Sequence, residues 1–108
     1  MQEEAAVKLV RSSATFLARW SGASARVRHH GPSRGHVEIV LEGNERDGAT
    51  NLTLSFVPTW WHGPFEWLDA RLRVERAGRD SAAFKVSDDG AGFWCLTDWL
   101  EVKENVRL

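Results

Sequence analysis

A histidine and a glutamate stand close together in the most aromatic part of the chain. An imidazole beside a carboxylate in an apolar pocket could act as a general acid–base pair, and His62 and Glu66 are spaced for it. The simpler interpretation places His62 in a loop with its ring stacked on Trp61, and we favour it. The single cysteine, Cys95, falls on an expected core face, where a thiol is inert. We therefore expect no enzymatic activity.

The segment around His62 is the most informative part of the sequence. Residues 57–67 hold half of the chain's 6 tryptophans and two of its 3 prolines. The segment interrupts two alternating strand patterns, so we expect a loop or bend. Exposed aromatic side chains in such a connection anchor partners more often than other residue types do. The expected binding residues are Trp60, Trp61, His62, Phe65 and Trp67.

Three further histidines flank one expected hairpin turn. His30 should lie opposite His36 on the outer face, whereas His29 should point the other way, because neighbouring strand residues face opposite sides. Zinc requires four protein ligands, or three and a water. Glu38 could complete a set, but two facing histidines alone are an incomplete site. We expect solvent-exposed histidines here, with no metal and no cofactor.

The charge pattern argues against a general polyanion binder. The 108 residues have a formal net charge of −1. No acidic residue occurs between Glu4 and Glu38, whereas acidic residues dominate from Asp88 to Glu104. We interpret these as two solvated faces; the alternative is a basic face that meets an anionic partner. No recognition module for nucleic acid is visible, so we expect no specific nucleic-acid binding.

Length and composition are typical of one globular domain spanning residues 1–108. The hydrophobic content of 43% is sufficient for one core, and a lone cysteine allows no internal disulfide. No apolar run is long enough to cross a membrane, and the acidic start is unlike a signal peptide. A cytoplasmic location without membrane contact is the simplest expectation.

The N-terminal region has the spacing of an amphipathic helix. Over residues 4–20, apolar side chains such as Leu9, Phe16 and Leu17 fall on one side, and charged ones fall on the other. A pair of strands turning at Ser12-Ser13 is the rival interpretation, since some of the same residues also alternate.

From Ala25 onward the apolar period changes to two, which predicts strands. If Val27 pairs with Ile39, then Arg28 lies opposite Glu38. Alternation from Leu68 to Val74 predicts one half-buried strand. The expected turns between strands are 31–35, 43–48, the aromatic segment and 77–80.

Asp89-Gly90 is the strongest hairpin signal in the chain. A type I′ turn requires positive φ angles that Asp-Gly tolerates, so we expect positive φ at Gly90. A two-residue turn would pair Val86 with Phe93 and Phe84 with Cys95, with all four side chains facing the core. Trp94 would then lie on the outer face near Lys85.

The fold class that follows is α+β, with the N-terminal helix packed on an antiparallel β-meander of about five to six strands. Residues 96–106 fit either a short helix capped by Asp98 or a final strand carrying Leu100 and Val102. If both termini are strands, the alternative is a small all-β barrel or sandwich.

In size, acidic-neutral charge balance and lack of catalytic residues, the chain resembles small single-domain bacterial proteins, including toxin-neutralising immunity proteins. That likeness is one of type and rests on no motif. It implies a non-catalytic binding protein, immunity-type or regulatory, that engages a protein partner. The alternative is a small-ligand or carbohydrate-binding domain with a Trp-lined pocket. Self-association into a homo-oligomer stays open.

We predict no stoichiometric zinc at the turn that carries His29, His30 and His36, because only two of them can share one face. Elemental analysis of protein purified without an affinity tag measures this directly. One equivalent of zinc that is lost in a His30→Ala variant would contradict the prediction.

Overall fold

The structure is a computed structural model, and it describes residues 3–29, 35–46, 48–77 and 83–106. Within these ranges the chain forms one helix and nine strands. The elements are α1 (Glu3–Arg19), β1 (Ala23–His29), β2 (Val37–Arg46), β3 (Ala49–Phe56), β4 (Pro58–His62), β5 (Glu66–Ala70), β6 (Arg73–Arg76), β7 (Phe84–Asp88), β8 (Phe93–Thr97) and β9 (Glu101–Val106), with a 3₁₀ turn at Asp89–Ala91.

The strands form two antiparallel sheets that do not close into a barrel. The first sheet has the order β5-β1-β2-β3-β9, and the second has the order β4-β8-β7-β6. Their inner faces and α1 share one hydrophobic core, in which Trp20, Phe56, Phe84 and Phe93 are the largest fully buried side chains. The predicted α+β class with an N-terminal helix is confirmed.

The helical interpretation of the N-terminal region is confirmed, and the rival strand pair is wrong. The buried residues Ala6, Ser13 and Leu17 recur at helical spacing along one side of α1. The helix stops before Gly22, whose φ of 90° an L-residue rarely adopts. Among the described residues, no helix is long and apolar enough to cross a membrane.

Two carboxylates fix the helix to the sheets at its two ends. At the C-terminal end, Glu104 of β9 accepts hydrogen bonds from the Trp20 indole Nε1 (2.8 Å) and from Arg19 Nη2 (2.7 Å). At the N-terminal end, Arg76 Nη1 of β6 donates to Glu3 Oε1 at 2.7 Å, and this bond lowers the pKa of the Glu3 carboxyl. The helix therefore lies between the free edges β9 and β6 of the two sheets.

Two strands of the first sheet continue into the second sheet through a bend. β3 leads into β4 across Val57, and β8 leads into β9 across residues 98–100. The pairing offset that joins Ser55 to Glu101 also joins Trp60 to Leu96, so the two pairings form one bent antiparallel ribbon. We call this pairing the ribbon. Because residues 101–106 form β9 within this ribbon, the C-terminal segment contains a strand rather than a short helix.

The single strand expected from Leu68 to Val74 is wrong. It divides into β5 and β6, which belong to different sheets. The break follows Asp69, which adopts a φ of 53°, a left-handed conformation that Asp tolerates better than most residues. Leu68, expected to face the core, is 80% exposed. The alternation of apolar and polar residues continues through the break, so the sequence gives no sign of the break.

The β7–β8 hairpin exists, but its turn is longer than expected. A 3₁₀ turn and Gly92 connect the strands, so Val86 pairs with Cys95 rather than Phe93. The register therefore shifts by two positions, and an even shift keeps every side chain on its expected face. Phe84, Val86, Phe93 and Cys95 are all fully buried, as predicted.

The other turns were predicted with mixed success. Val27 pairs with Ile39 as expected, and Arg28 Nε lies 2.9 Å from Glu38 Oε1. The expected turn at 43–48 is too long, because β2 continues through Arg46 with an irregular register after Glu42. Most of the 31–35 and 77–80 turns lies outside the described residues.

The hairpin turn yields a prediction at two neighbouring glycines. Gly92 has φ 66° and ψ 28°, whereas Gly90, where positive φ was expected, does not have it. A Gly92→Ala variant should lose about 1 kcal/mol of unfolding free energy, because a Cβ disfavours the left-handed region. Gly90→Ala is the matched control and should change stability by less than about 0.5 kcal/mol. Chemical denaturation followed by circular dichroism measures both, and a larger loss at Gly90 would refute the assignment.

Candidate binding site at the aromatic bend

The aromatic segment is not a single loop. Its two ends are the strands β4 and β5, and only residues 63–65 form the bend between them. Gly63 is required at this bend, since its φ is 123° and a Cβ there would lie 2.7 Å from the Phe93 Cα. The bend is therefore packed directly against the start of β8.

Strand alternation sends the aromatic side chains of β4 to opposite faces. Trp60 and His62 lie on the outer face of the second sheet, where both stack on Trp94 at centroid distances of 6.2 Å and 5.9 Å. Lys85 Nζ lies 5.8 Å from the centre of the Trp94 ring. His62 therefore stacks on Trp94. The expected stacking of His62 on Trp61 is wrong.

The other aromatic side chains form a column on the inner side. Phe65 lies almost parallel to Trp61, with centroids 5.6 Å apart and an angle of 10° between the planes. Trp61 meets Phe93 edge-on at 4.8 Å, and Trp67 packs on the same Phe93 ring at 4.9 Å. The column runs from the exposed Phe65 to the buried core, so Phe65 rests on a rigid base.

An apolar groove opens beside this column. It encloses about 500 Å³ and is lined by Val27, Gly35, Val37, Pro58, Trp61 and Phe65. Pro58 and Trp61 share a wall because Thr59 forms a bulge: Pro58 pairs with Thr97, but Trp60 pairs with Leu96. Without the bulge, regular strand alternation would place Pro58 and Trp61 on opposite faces of the sheet.

The exposed apolar surface continues from the groove to the corner of the ribbon. Val57 and Trp99 lie there, 37% and 42% exposed. The Thr97 hydroxyl holds this corner, because its oxygen lies 2.9 Å from the Val57 carbonyl and 2.8 Å from the Trp99 carbonyl. We refer to the groove together with Val57, Phe65 and Trp99 as the bend surface.

The candidate acid–base pair has no support in this geometry. In the described part of the chain, His62 and Glu66 make no hydrogen bond to each other, and both side chains are exposed. Cys95 is fully buried, and burial raises the pKa of its thiol to about 12, so the reactive thiolate does not form at neutral pH.

Two other candidate chemistries concern the turn after β1. No group of three metal-binding side chains occurs among the described residues, and His30 lies outside them. Residues 31–35 also match the Gly-x-Ser-x-Gly pattern of serine hydrolases. That motif requires a strand followed by a helix, whereas the elements that flank this segment are the antiparallel strands β1 and β2.

Sequence reasoning identified the aromatic residues but missed one partner. Asp88 is 3% exposed, and its Oδ2 accepts hydrogen bonds from the Trp67 Nε1 and the Arg71 backbone N–H, both at 2.8 Å. The sequence places Asp88 beside a turn, where carboxylates are ordinarily solvated, so no pattern signals this burial.

The two half-buried tryptophans of the column should respond differently to substitution. Trp67→Phe removes a donor to a buried carboxylate, a bond worth about 1.5–3 kcal/mol. Trp61→Phe removes an indole N–H that is buried without an acceptor among the described residues. We expect Trp67→Phe to lower the unfolding free energy by at least about 1 kcal/mol more than Trp61→Phe. Urea denaturation compares the two, and the reverse order would contradict the assigned hydrogen bonds.

Comparison with known proteins gives no functional assignment, so a functional proposal must rest on the geometry of the site. The sequence matches no protein-family model, and neither curated proteins nor solved structures give a significant match.

Proposed function

We propose that this chain is a non-catalytic binding protein that engages a protein partner through the bend surface. The observation that carries the proposal is the position of Phe65. Its side chain is 62% exposed, yet it lies flat on Trp61 at the rim of an open apolar groove. Aromatic residues, including Phe, are enriched at protein interfaces, and a ring that is already held in place loses little conformational entropy on binding.

The extent of the apolar surface favours a protein over a small ligand. Val57 and Trp99 extend the surface beyond the groove, and both are partly exposed. Small-ligand sites normally combine apolar walls with a few convergent polar groups that fix orientation. The groove is lined by apolar residues, and the indole N–H of Trp61 is buried rather than presented to a ligand. A sugar, which needs several hydrogen bonds, fits this chemistry poorly.

One observation keeps a small apolar ligand as the second candidate. The groove volume of about 500 Å³ falls within the range of known ligand pockets, which is roughly 300–1,000 Å³. A partner side chain and a free apolar molecule would use the same walls, so the experiment below must separate them.

The strand edges at this site favour recognition through side chains. β4 is an edge strand of the second sheet, but it is short, begins with Pro58 and contains the bulge at Thr59. Proline and bulges interrupt the row of backbone donors that strand addition requires. A partner would therefore bind the aromatic and aliphatic side chains rather than extend the sheet.

The proposal predicts that Phe65→Ala weakens partner binding and leaves stability nearly unchanged. Truncated anchors of this kind typically cost about 2 kcal/mol or more of binding free energy, which is roughly 30-fold in Kd. The partner is first captured from cells, identified by mass spectrometry and purified. Calorimetric titration then compares the parent chain with Phe65→Ala and with Val7→Ala, an exposed apolar residue of α1 that lies outside the bend surface.

Three results would count against this proposal. If Phe65→Ala and the parent chain bind the partner with equal affinity, Phe65 is not an interface anchor. A fall of more than about 2 kcal/mol in the stability of Phe65→Ala would assign the ring a structural role, since exposed residues rarely cost that much. Co-purification of a small apolar molecule that is lost in the variant would favour the ligand alternative.

A further inference from the structure

Asp88 is a buried carboxylate that forms no ion pair with a cation among the described residues. The side chain is 3% exposed, and both hydrogen bonds to its Oδ2 come from neutral donors, the Trp67 indole and the Arg71 backbone. Among the described residues, no lysine, arginine or histidine forms an ion pair with it. Buried carboxylates are ordinarily paired, because burial of an isolated charge is costly.

The second oxygen of Asp88, Oδ1, lies beside Gly90, and both residues line a surface cavity. The cavity encloses about 310 Å³, and its walls include Trp67, Leu68, Asp69, Arg71, Asp88 and Gly90. At Gly90 the approach is open because glycine has no side chain, and a Cβ built there would lie 3.5 Å from Asp88 Oδ1. No donor within the described residues contacts Oδ1. A carboxylate oxygen that accepts no hydrogen bond from the described residues is thus available at the cavity wall.

The remaining charges around this cavity cancel in pairs. Arg71 Nη2 lies 3.2 Å from Asp69 Oδ1, and Arg71 Nη1 also donates to the Ser21 hydroxyl at 3.2 Å. On the neighbouring turn, Arg73 Nη2 lies 2.9 Å from Asp89 Oδ2. The charge that remains is that of Asp88, so the cavity carries a net negative charge.

We propose that this cavity binds an organic cation, namely a guanidinium or primary ammonium group on an alkyl stem. The cationic group would donate to Asp88 Oδ1 and neutralise the buried charge, which makes a strong, charge-assisted hydrogen bond. The stem would pack on Leu68, which is 80% exposed at the rim. An amphipathic cation of this kind matches both the buried carboxylate and the exposed aliphatic wall.

The donor set favours an organic cation over the other charged ligands. Divalent metals require several oxygen ligands, and the second carboxylate of the cavity, that of Asp69, already accepts from Arg71. An anion would meet the unpaired charge of Asp88. The inference is independent of the proposed partner surface, since none of the residues that line the groove lines this cavity.

The test uses a cation and its neutral analogue as probes. n-Butylguanidinium and n-butylurea have nearly the same shape, but only the first is charged. In a titration followed by NMR, n-butylguanidinium should shift the Trp67 indole N–H signal in a saturable manner, whereas n-butylurea should bind roughly tenfold or more weakly. Equal responses to both probes, or no response to either, would overturn the proposal.

A second arm tests Asp88 itself. Asp88→Asn keeps an amide oxygen that can accept from Trp67 and Arg71, but it removes the charge. This variant should weaken n-butylguanidinium binding at least roughly tenfold, whereas Glu42→Gln, whose carboxylate is exposed, paired with Arg26 and outside the cavity walls, should change it by less than about threefold. Unchanged affinity in a folded Asp88→Asn variant would overturn the proposal; if that variant does not fold, the comparison of the two probes on the parent chain decides.

The source of the cation is distinguished by a third probe. Nα-acetyl-arginine amide represents an arginine side chain within a polypeptide, and n-butylguanidinium represents a free alkyl cation. Comparable affinity for both indicates a cavity that accepts an arginine side chain. Binding of n-butylguanidinium alone indicates a cavity that accepts only free cations, and either result supports a cation site at Asp88.

Discussion

The ribbon is the constraint on which the rest of the structure depends. The β3–β9 pairing at Ser55–Glu101 and the β4–β8 pairing from Trp60 onward share one offset on either side of the corner, so the register of the first sheet determines the register of the second. Strand alternation then decides which aromatic side chains face outward with Trp94 and which face the Phe93 column. The bulge at Thr59 makes one local adjustment, and it brings Pro58 to the groove. The bend surface is therefore a product of the ribbon and not of a flexible loop.

Two indole–carboxylate hydrogen bonds hold together elements that are distant in the sequence. Trp20 and Glu104 join the end of α1 to the first sheet, and Trp67 and Asp88 join the two sheets where β5 leads into β6. An indole has a single N–H donor, so each bond gives a large, mostly apolar side chain one fixed orientation. Bonds to ionised acceptors are stronger than neutral ones, which suits positions where packing alone allows several arrangements.

The sequence predicted those features that depend on periodic patterns and on the positions of the turns. The helix, the Val27–Ile39 pairing and the core face of the β7–β8 hairpin follow from them. The predicted hairpin register was wrong by two positions, and because this number is even, every side chain was still assigned to the correct face. The breaks were not predictable, since apolar alternation continues from Leu68 to Val74 although the chain changes sheets there. At the candidate site, the composition of the aromatic cluster was predicted. Its division between two faces was missed, because a segment expected to be a loop carries no alternation.

The topology of the ribbon also has a consequence for the route by which the chain folds. Hairpin β7–β8 joins neighbouring residues, whereas the ribbon joins residues 49–62 to residues 94–106, so its contacts are non-local. Closing a long loop costs entropy before the pairing is gained, and non-local pairing slows folding. We expect the local β2–β3 and β7–β8 hairpins to gain protection from hydrogen exchange before β4 and β9, which pair only through the ribbon. The bend surface would then be completed late, after the strand that supports it, and a newly made chain would acquire this surface only when folding is nearly finished.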